Sequence, residues 1–369
     1  MSINQREYVE LLNAEQHVQV DKLREHALHG VAAQLRGEVW MYLLDVISED
    51  KTSEITSLIK LNTTYQSLPS TSPAAFTSLI TRTALAHHTH RFVNPNYAGL
   101  ISSTTSEVIP CRSQAHESSI KSTYPPPDRQ DFRPTPHLPI SQSEVALSLR
   151  PQYVRFLPPP PTSPPTRHGY LSMLEEVLGK FWNAEKEMGR DDEWRRSITC
   201  GMEGSEKEWV YLLTPFVCCL SRPVAVFLGF QRLMHRLDSF PPMPSRLASL
   251  LTLFRQSLPD LWSYFEDEQV PYLEIATSWL QTMLAKELWL SDVLRLWDAY
   301  LASDDMFALH CYVCVAILAT CKETLEELDG SEAKLMLLDL PPVDVDRLLQ
   351  DAANLRVLFP LPRSVDGND

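Results

Sequence analysis

The chain is short of positive charge. Its 33 Lys and Arg residues stand against 47 Asp and Glu residues, which gives a formal net charge of -14, and no long run of basic residues offsets this deficit. A nucleic-acid-binding surface needs a basic patch or stripe, so this class of function is excluded. An acidic surface suits basic partners and also keeps a protein soluble.

Long apolar runs are also missing. The N-terminal residues Met-Ser-Ile-Asn-Gln-Arg-Glu are polar, so we expect no signal peptide. No uninterrupted apolar stretch approaches the roughly 20 residues that a transmembrane helix needs. We therefore expect a cytoplasmic protein with no direct membrane span, which a partner can bring to the surface of endomembranes.

Residues for metal, redox or nucleophilic chemistry are sparse. Seven cysteines are an odd number, as expected for free thiols in a reducing compartment. Cys311 and Cys314 form the one Cys-x-x-Cys pair, and their apolar neighbours favour core packing over a redox or zinc role. The His87-His88-Thr89-His90 stretch lacks acidic or Cys partners nearby. No nucleophile-elbow motif supports a hydrolase. We expect no metal and no cofactor.

Strand alternation and short repeats are absent, whereas apolar residues recur at the three- and four-residue steps of an α-helix. The pattern predicts an all-α chain. We predict Thr52 or Ser53, Ser291, and Asp304 or Asp305 as helix starts. Besides a helix that carries Arg36 and ends near Ile47, helices are predicted over 5–29, 76–92, 170–182, 208–220, 224–237, 246–257, 259–266, 271–286, 291–301, 306–328, 331–338 and 343–355.

Residues 101–169 differ in composition from the rest. Fourteen of the 28 prolines fall there, together with many Ser and Thr residues. Proline removes amide donors and fixes φ, so we expect a disordered insertion between an N-terminal part, 1–100, and a C-terminal part, 170–369, of one domain. A plain linker is favoured over a ligand for SH3 or WW modules, and translated intron sequence is a third reading.

Several short motifs occur in a fixed order. Arg36 and Trp40 lie four residues apart in Leu-Arg-Gly-Glu-Val-Trp and share one helix face. Read alone, this spacing favours an ordinary amphipathic helix with a core Trp. Four later motifs follow: Gly201-Met202, Phe230-Gln231-Arg232-Leu233-Met234, Leu258-Pro259-Asp260-Leu261, and Val293-Leu294-Arg295-Leu296-Trp297-Asp298.

Together these motifs resemble the TBC domain of Rab GTPase-activating proteins over roughly 20–100 and 170–356. The resemblance implies a multi-helix body that binds the GTP form of a Rab-like small GTPase in vesicle-mediated transport. It accelerates the GTPase's hydrolysis and is not itself an enzyme. The resemblance also implies a GTPase-binding or structural role for six residues: Arg36, Trp40, Gly201, Met202, Trp297 and Asp298.

The two catalytic motifs of that family are degraded here. The family supplies an Arg from Ile-x-x-Asp-x-x-Arg and a Gln from Tyr-x-Gln-Gly-Met. In the alignment on Ile80, the Asp position holds Thr83 and the Arg position holds Ala86. Cys200 stands where Gln is expected. Arg82 and Arg91 are weak candidates that lack this motif spacing. The resemblance as a whole implies an activator. Because the Arg and Gln are not found at the motif positions, a non-catalytic TBC scaffold is the alternative.

Overall fold

A computed structural model describes residues 5–87, 167–187, 206–220 and 222–361. Within these ranges the secondary structure is helical, apart from one isolated antiparallel bridge between His17 and Asp50. The prediction of an all-α fold is confirmed.

Five helices precede the large gap in the described residues, and each buries part of its surface in the core. They are α1 (Gln5–Leu12), α2 (Val20–Ala27), α3 (Ala33–Leu43), α4 (Lys51–Ser67) and α5 (Ala74–His87).

Ten described helices follow. They are α6 (Arg167–Glu187), α7 (Glu206–Cys219), α8 (Pro223–Asp238), α9 (Met243–Ser257), α10 (Pro259–Asp267), α11 (Tyr272–Thr282), α12 (Leu290–Ala302), α13 (Met306–Leu325), α14 (Gly330–Leu338) and α15 (Val345–Leu358). Helices α8, α9 and α10 each have a proline in their first turn, where its missing N–H costs no hydrogen bond.

The prediction of a single helix over 5–29 was wrong. The chain leaves α1 after Leu12 and starts α2 at Val20. Between them, the amide of Val18 donates to the carbonyl of Glu49 at 3.0 Å, and the Val18 side chain is buried. This long-range pairing replaces the local helical bonds that the periodicity suggested.

Helix α11 is also shorter than predicted. It ends at Thr282 because Met283 and Leu284 adopt left-handed conformations with φ of 50° and 62°. Both side chains are fully buried, and the carbonyl of Met283 accepts a hydrogen bond from the Trp297 indole at 3.2 Å. Tertiary packing therefore holds a backbone conformation that non-glycine residues rarely adopt.

The predicted helix starts are partly correct. Asp305 caps α13 by accepting a bond from the Ala308 amide. For α4 the cap is Asp50, which accepts from the Thr52 amide, and not Thr52 or Ser53. No side-chain cap bond precedes α12, so the prediction for Ser291 was wrong.

The chain on the two sides of the gap at 88–166 packs into one hydrophobic core. Helix α6 closes over the segment between α4 and α5. The Lys180 ammonium donates to the carbonyls of Tyr65 and Leu68 at 2.9 and 2.6 Å, and the Asn183 amide donates to the carbonyl of Pro69 at 2.8 Å. The predicted insertion, 101–169, lies almost entirely outside the described residues.

One described helix, α13, is long and apolar enough to cross a membrane by length and composition. Polar residues such as His310 and Thr320 interrupt its sequence, so this helix is not an uninterrupted apolar stretch. In this structure the helix lies in the protein core, where residues such as Val313 and Ile317 are fully buried.

Candidate functional site

A buried carboxylate lies at the centre of the motif residues. Asp298 of α12 has no exposed surface and accepts hydrogen bonds from four N–H donors. Arg36 donates through Nε to Oδ1 at 2.9 Å and through Nη2 to Oδ2 at 3.1 Å. The Trp40 indole donates to Oδ1 at 2.8 Å, and the Val31 amide donates to Oδ2 at 2.9 Å. We call Val31, Arg36, Trp40 and Asp298 the Asp298 anchor.

Helix α3 explains how three of these donors reach one carboxylate. Arg36 and Trp40 are one turn apart and project from the same face of the helix. Val31 lies two residues before the helix begins, and its carbonyl accepts a further bond from Arg36 Nη2 at 2.9 Å. The anchor therefore fixes the start of α3 to α12 across more than 250 residues of sequence.

Burial raises the pKa of the Asp298 carboxyl above its usual value, and the Arg36 guanidinium counteracts this rise. Burial also lowers the pKa of Arg36, but attraction and hydrogen bonding to Asp298 outweigh this and raise it overall. Four N–H donors directed at the two oxygens of Asp298 favour its carboxylate form beside the Arg36 guanidinium. Because four donors occupy its oxygens, Asp298 is suited to a structural role and not to proton transfer.

Aromatic rings surround the anchor on its core side. The ring centroid of Trp40 lies 6.1 Å from that of Trp297 and 5.5 Å from that of Phe216. The centroids of Trp297 and Phe216 are 6.0 Å apart. Trp40 and Trp297 are both fully buried. Phe216, a residue of α7, was not predicted from the sequence, since no local spacing links it to either Trp.

Glycine at 37 allows α3 to approach α7 closely. A Cβ atom there would lie 2.5 Å from the carbonyl oxygen of Cys219 and 2.7 Å from Leu220 Cδ2. Real Cβ atoms do not come this close to a backbone oxygen, so any larger residue forces α3 and α7 apart. The glycine of the Leu-Arg-Gly motif thus has a packing role.

Arg295 was part of a matched motif but was not singled out from the sequence. It donates to the carbonyl of Leu28 at 2.9 Å and pairs with Asp346 at 2.6 Å. Gly30, with φ of +99°, lies against it, and a Cβ there would be 2.9 Å from Arg295 Nε. This arginine therefore braces the turn that leads into α3.

The residues aligned with the catalytic arginine motif lie on α5. Ile80 is fully buried and Thr83 is 8% exposed, whereas Arg82 is exposed. Ala86 belongs to the last turn of this helix. The structure thus brings together Arg36, Trp40, Trp297 and Asp298, and places Arg82 on a different helix. Four predicted or aligned positions lie outside the described residues: Arg91, Cys200, Gly201 and Met202.

The Cys311 and Cys314 thiols are buried in α13. Burial raises the pKa of Cys311 to about 12 and that of Cys314 well above its ordinary value, so both stay as thiols. In the described ranges, no group of three or more His, Cys, Asp or Glu residues is placed to hold a metal ion. His88 and His90 of the histidine-rich stretch lie outside those ranges.

Comparisons with known proteins agree on one family. The model of the Rab-GTPase-TBC domain matches residues 207–326. The chain is 37% identical over 103 residues to human TBC1 domain family member 22A. This match covers 26% of this chain and 20% of that protein. It is 28% identical over 106 residues to the GTPase-activating protein gyp1 of Schizosaccharomyces pombe, covering 27% of this chain and 21% of that protein.

The matched stretch therefore spans about a fifth of the length of these relatives. Among solved structures, the Ypt/Rab-GAP domain of Gyp1p superposes on 96% of this chain and 98% of that domain. The TM-score is 0.54 at 16% sequence identity, which establishes a shared fold.

Proposed function

Because the chain belongs to the TBC-domain family of Rab GTPase-activating proteins, we propose that it binds a Rab-like small GTPase in its GTP form and accelerates hydrolysis. The Asp298 anchor carries this proposal. It supports the view that the family's scaffold is kept intact, with Arg36 and Trp40 satisfied inside the protein and α5 held against α6 and α7.

The arginine supplied to the GTPase is then the central question. In the frame aligned on Ile80, both the Ile and the Asp positions point into the core, and no arginine follows. Arg91 lacks the motif's spacing from Ile80, but it has that spacing from Leu85 in a second frame, Leu85-x-x-His88-x-x-Arg91, in which His stands in place of Asp. It starts in the last turn of α5, so Arg91 follows that helix by four residues. We propose Arg91 as the first candidate.

Arg82 is the second candidate. It is exposed and lies four residues, about one helical turn, before Ala86. A long arginine side chain can cover much of that distance. An arginine supplied to a GTPase stabilises the charge that develops on the transferred phosphoryl group, and this is worth roughly 10³ to 10⁵ in rate.

The alternative is a scaffold that binds the GTPase without accelerating hydrolysis. Cys200 favours it, because a thiol cannot orient the attacking water as the amide of the family's Gln does. Under either function we propose a cytoplasmic protein that acts in vesicle traffic at endomembranes through its GTPase.

Single-turnover GTP hydrolysis over a panel of Rab GTPases tests the proposal, with the variants Arg91→Ala, Arg91→Lys and Arg82→Ala. Loss of acceleration in both Arg91 variants, with GTPase binding retained, identifies the catalytic arginine. Loss in Arg82→Ala alone assigns that role to Arg82. Binding without acceleration in the parent protein supports the scaffold. No binding to any GTPase of the panel contradicts the whole proposal.

A further inference from the structure

A buried lysine of α6 joins that helix to the end of α4. Lys180 is 7% exposed, and its ammonium donates to the carbonyls of Tyr65 and Leu68 at 2.9 and 2.6 Å. The same nitrogen lies 4.5 Å from the centre of the Tyr65 ring. Within the described ranges, no Asp or Glu forms an ion pair with it. A buried cation without a carboxylate needs well-placed acceptors, and here they are the carbonyls at the negative end of α4.

Asn183 of α6 holds the connector that leads from α4 into α5. Its side-chain nitrogen donates to the carbonyls of Pro69 and Thr71 at 2.8 and 3.0 Å. Gly179 lets the two segments touch, because a Cβ atom there would collide with the carbonyl oxygen of Ser70. The connector is therefore fixed through its backbone. We call Gly179, Lys180 and Asn183 the α6 clamp.

Helix α5 meets α6 again beyond the connector. The ring centroid of Phe76 lies 4.6 Å from that of Trp182, and the Thr81 hydroxyl donates to Glu175 Oε1 at 3.2 Å. The next residue, Arg82, is exposed. The α6 clamp thus sets where α5 begins, and these contacts set its course along α6. A shift of the connector would move the whole helix together with its exposed arginine.

From this arrangement we infer that Lys180 and Asn183 are positioning residues for the proposed GTPase activation, because they hold α5 so that its arginine, Arg82 or Arg91, meets the GTPase at one place. The inference rests on the proposed function. A supplied arginine acts on charge that develops at one phosphoryl group, and misplacing a catalytic group by about 1 Å can cost about 10²-fold in rate. Both positioning residues face the connector, so they act through α5 and not by contact with the GTPase.

Single-turnover GTP hydrolysis with the full chain is the first test, using a Rab GTPase that the parent accelerates. The rate is followed against the concentration of the chain, which separates the maximal rate from the half-saturating concentration. We expect Lys180→Met to lower the maximal rate at least about tenfold and Asn183→Ala about threefold, with half-saturation changed less than about twofold. The control is Lys60→Met at an exposed lysine of α4, which should leave both quantities unchanged. An unchanged maximal rate in Lys180→Met, or a loss confined to half-saturation, overturns the inference.

Hydrogen exchange of the same variants without GTPase separates positioning from general stability. We expect the amides of α5 to exchange at least about tenfold faster in Lys180→Met, while those of the buried helix α13 change less than about twofold. Equal acceleration in both helices shows lost stability only and overturns the inference, as does unchanged exchange in α5. If Lys180→Met does not fold, Asn183→Ala decides by the same comparison, since its half-exposed site tolerates the smaller side chain.

Failure of this inference and failure of the proposed function give different results. A parent chain that binds the GTPase without accelerating hydrolysis contradicts the proposed activation, and hydrogen exchange then decides whether the α6 clamp positions α5. A parent chain that accelerates hydrolysis, with the same maximal rate in Lys180→Met and Asn183→Ala, keeps the proposed function and overturns the inference.

Discussion

The Asp298 anchor and helix α5 both align with motifs of the family, and both pack in the same core. They differ in how far their polar residues match those motifs. Around Asp298 the Arg, Trp and Asp side chains are present and satisfy one another inside the protein. On α5 Ile80 is buried, and in the alignment on Ile80 the buried Thr83 holds the Asp position and Ala86 the Arg position. The polar groups of the anchor are thus satisfied within the protein, whereas Arg82 of α5 is exposed to solvent.

The first prediction removes the centre of the anchor. Asp298→Ala leaves the Arg36 charge, the Trp40 indole and the Val31 amide without their acceptor. We expect the free energy of unfolding to fall by about 3–5 kcal/mol, measured by chemical denaturation. Asp346→Ala is the control, because this 74% exposed partner of Arg295 should matter by less than about 1 kcal/mol. Equal effects of the two substitutions contradict the structural role of the anchor.

The second prediction tests the close approach of α3 and α7. Gly37→Ala adds a methyl group 2.5 Å from the Cys219 carbonyl oxygen. We expect a loss of about 1–3 kcal/mol in denaturant unfolding, although alanine is the better helix former. Gln34→Ala, on the exposed side of the same helix, is the control and should change stability by less than about 0.5 kcal/mol. An increase in stability on Gly37→Ala argues that the two helices are not in contact there.

Periodicity was sufficient to predict most helices and to place Arg36 and Trp40 on one face of α3, because both follow from spacing within a few turns. The acceptor of their bonds, Asp298, lies more than 250 residues away. Nothing in either local pattern joins it to α3, and only the family resemblance linked the two motifs. The functional roles assigned to these residues from that resemblance stay predictions.

The remaining errors share a physical cause. The break after Leu12 and the left-handed turn at Met283 and Leu284 depend on contacts with distant segments, the Glu49 carbonyl in one case and the Trp297 indole in the other. Local propensity cannot anticipate such contacts.

The third prediction concerns a buried histidine that supports the same core. The His310 Nε2 atom lies 3.1 Å from the Trp279 carbonyl, which can only accept, so Nε2 carries the proton and Nδ1 accepts from the Tyr300 hydroxyl at 2.8 Å. Burial lowers the pKa of His310 to about 3. The folded protein therefore keeps it neutral while the unfolded chain takes up a proton below about pH 6.5.

The contribution of neutral His310 to stability is fully present at pH values above the pKa of this residue in the unfolded chain. It is lost as the pH falls toward the pKa of His310 in the folded protein. Between pH 7.5 and pH 6 we expect this residue to lower the free energy of unfolding by about 0.8 kcal/mol. His310→Gln should remove that part of the pH dependence, whatever constant loss the substitution causes. Denaturation curves of parent and variant over this range give the two slopes, and identical slopes contradict a neutral buried His310.

The smallest expected effect lies on α5, and it sharpens the comparison with the anchor. Arg82 is exposed, so Arg82→Ala should change the free energy of unfolding by less than about 0.5 kcal/mol in the same denaturation assay. Thr83→Arg, one residue along, places a charge at a buried position and should destabilise the protein clearly. A large loss in Arg82→Ala would make this arginine part of the scaffold, and a fall in GTP hydrolysis could then not be assigned to chemistry. An unchanged stability leaves Arg82 free to act on a partner, which is the property that separates α5 from the Asp298 anchor.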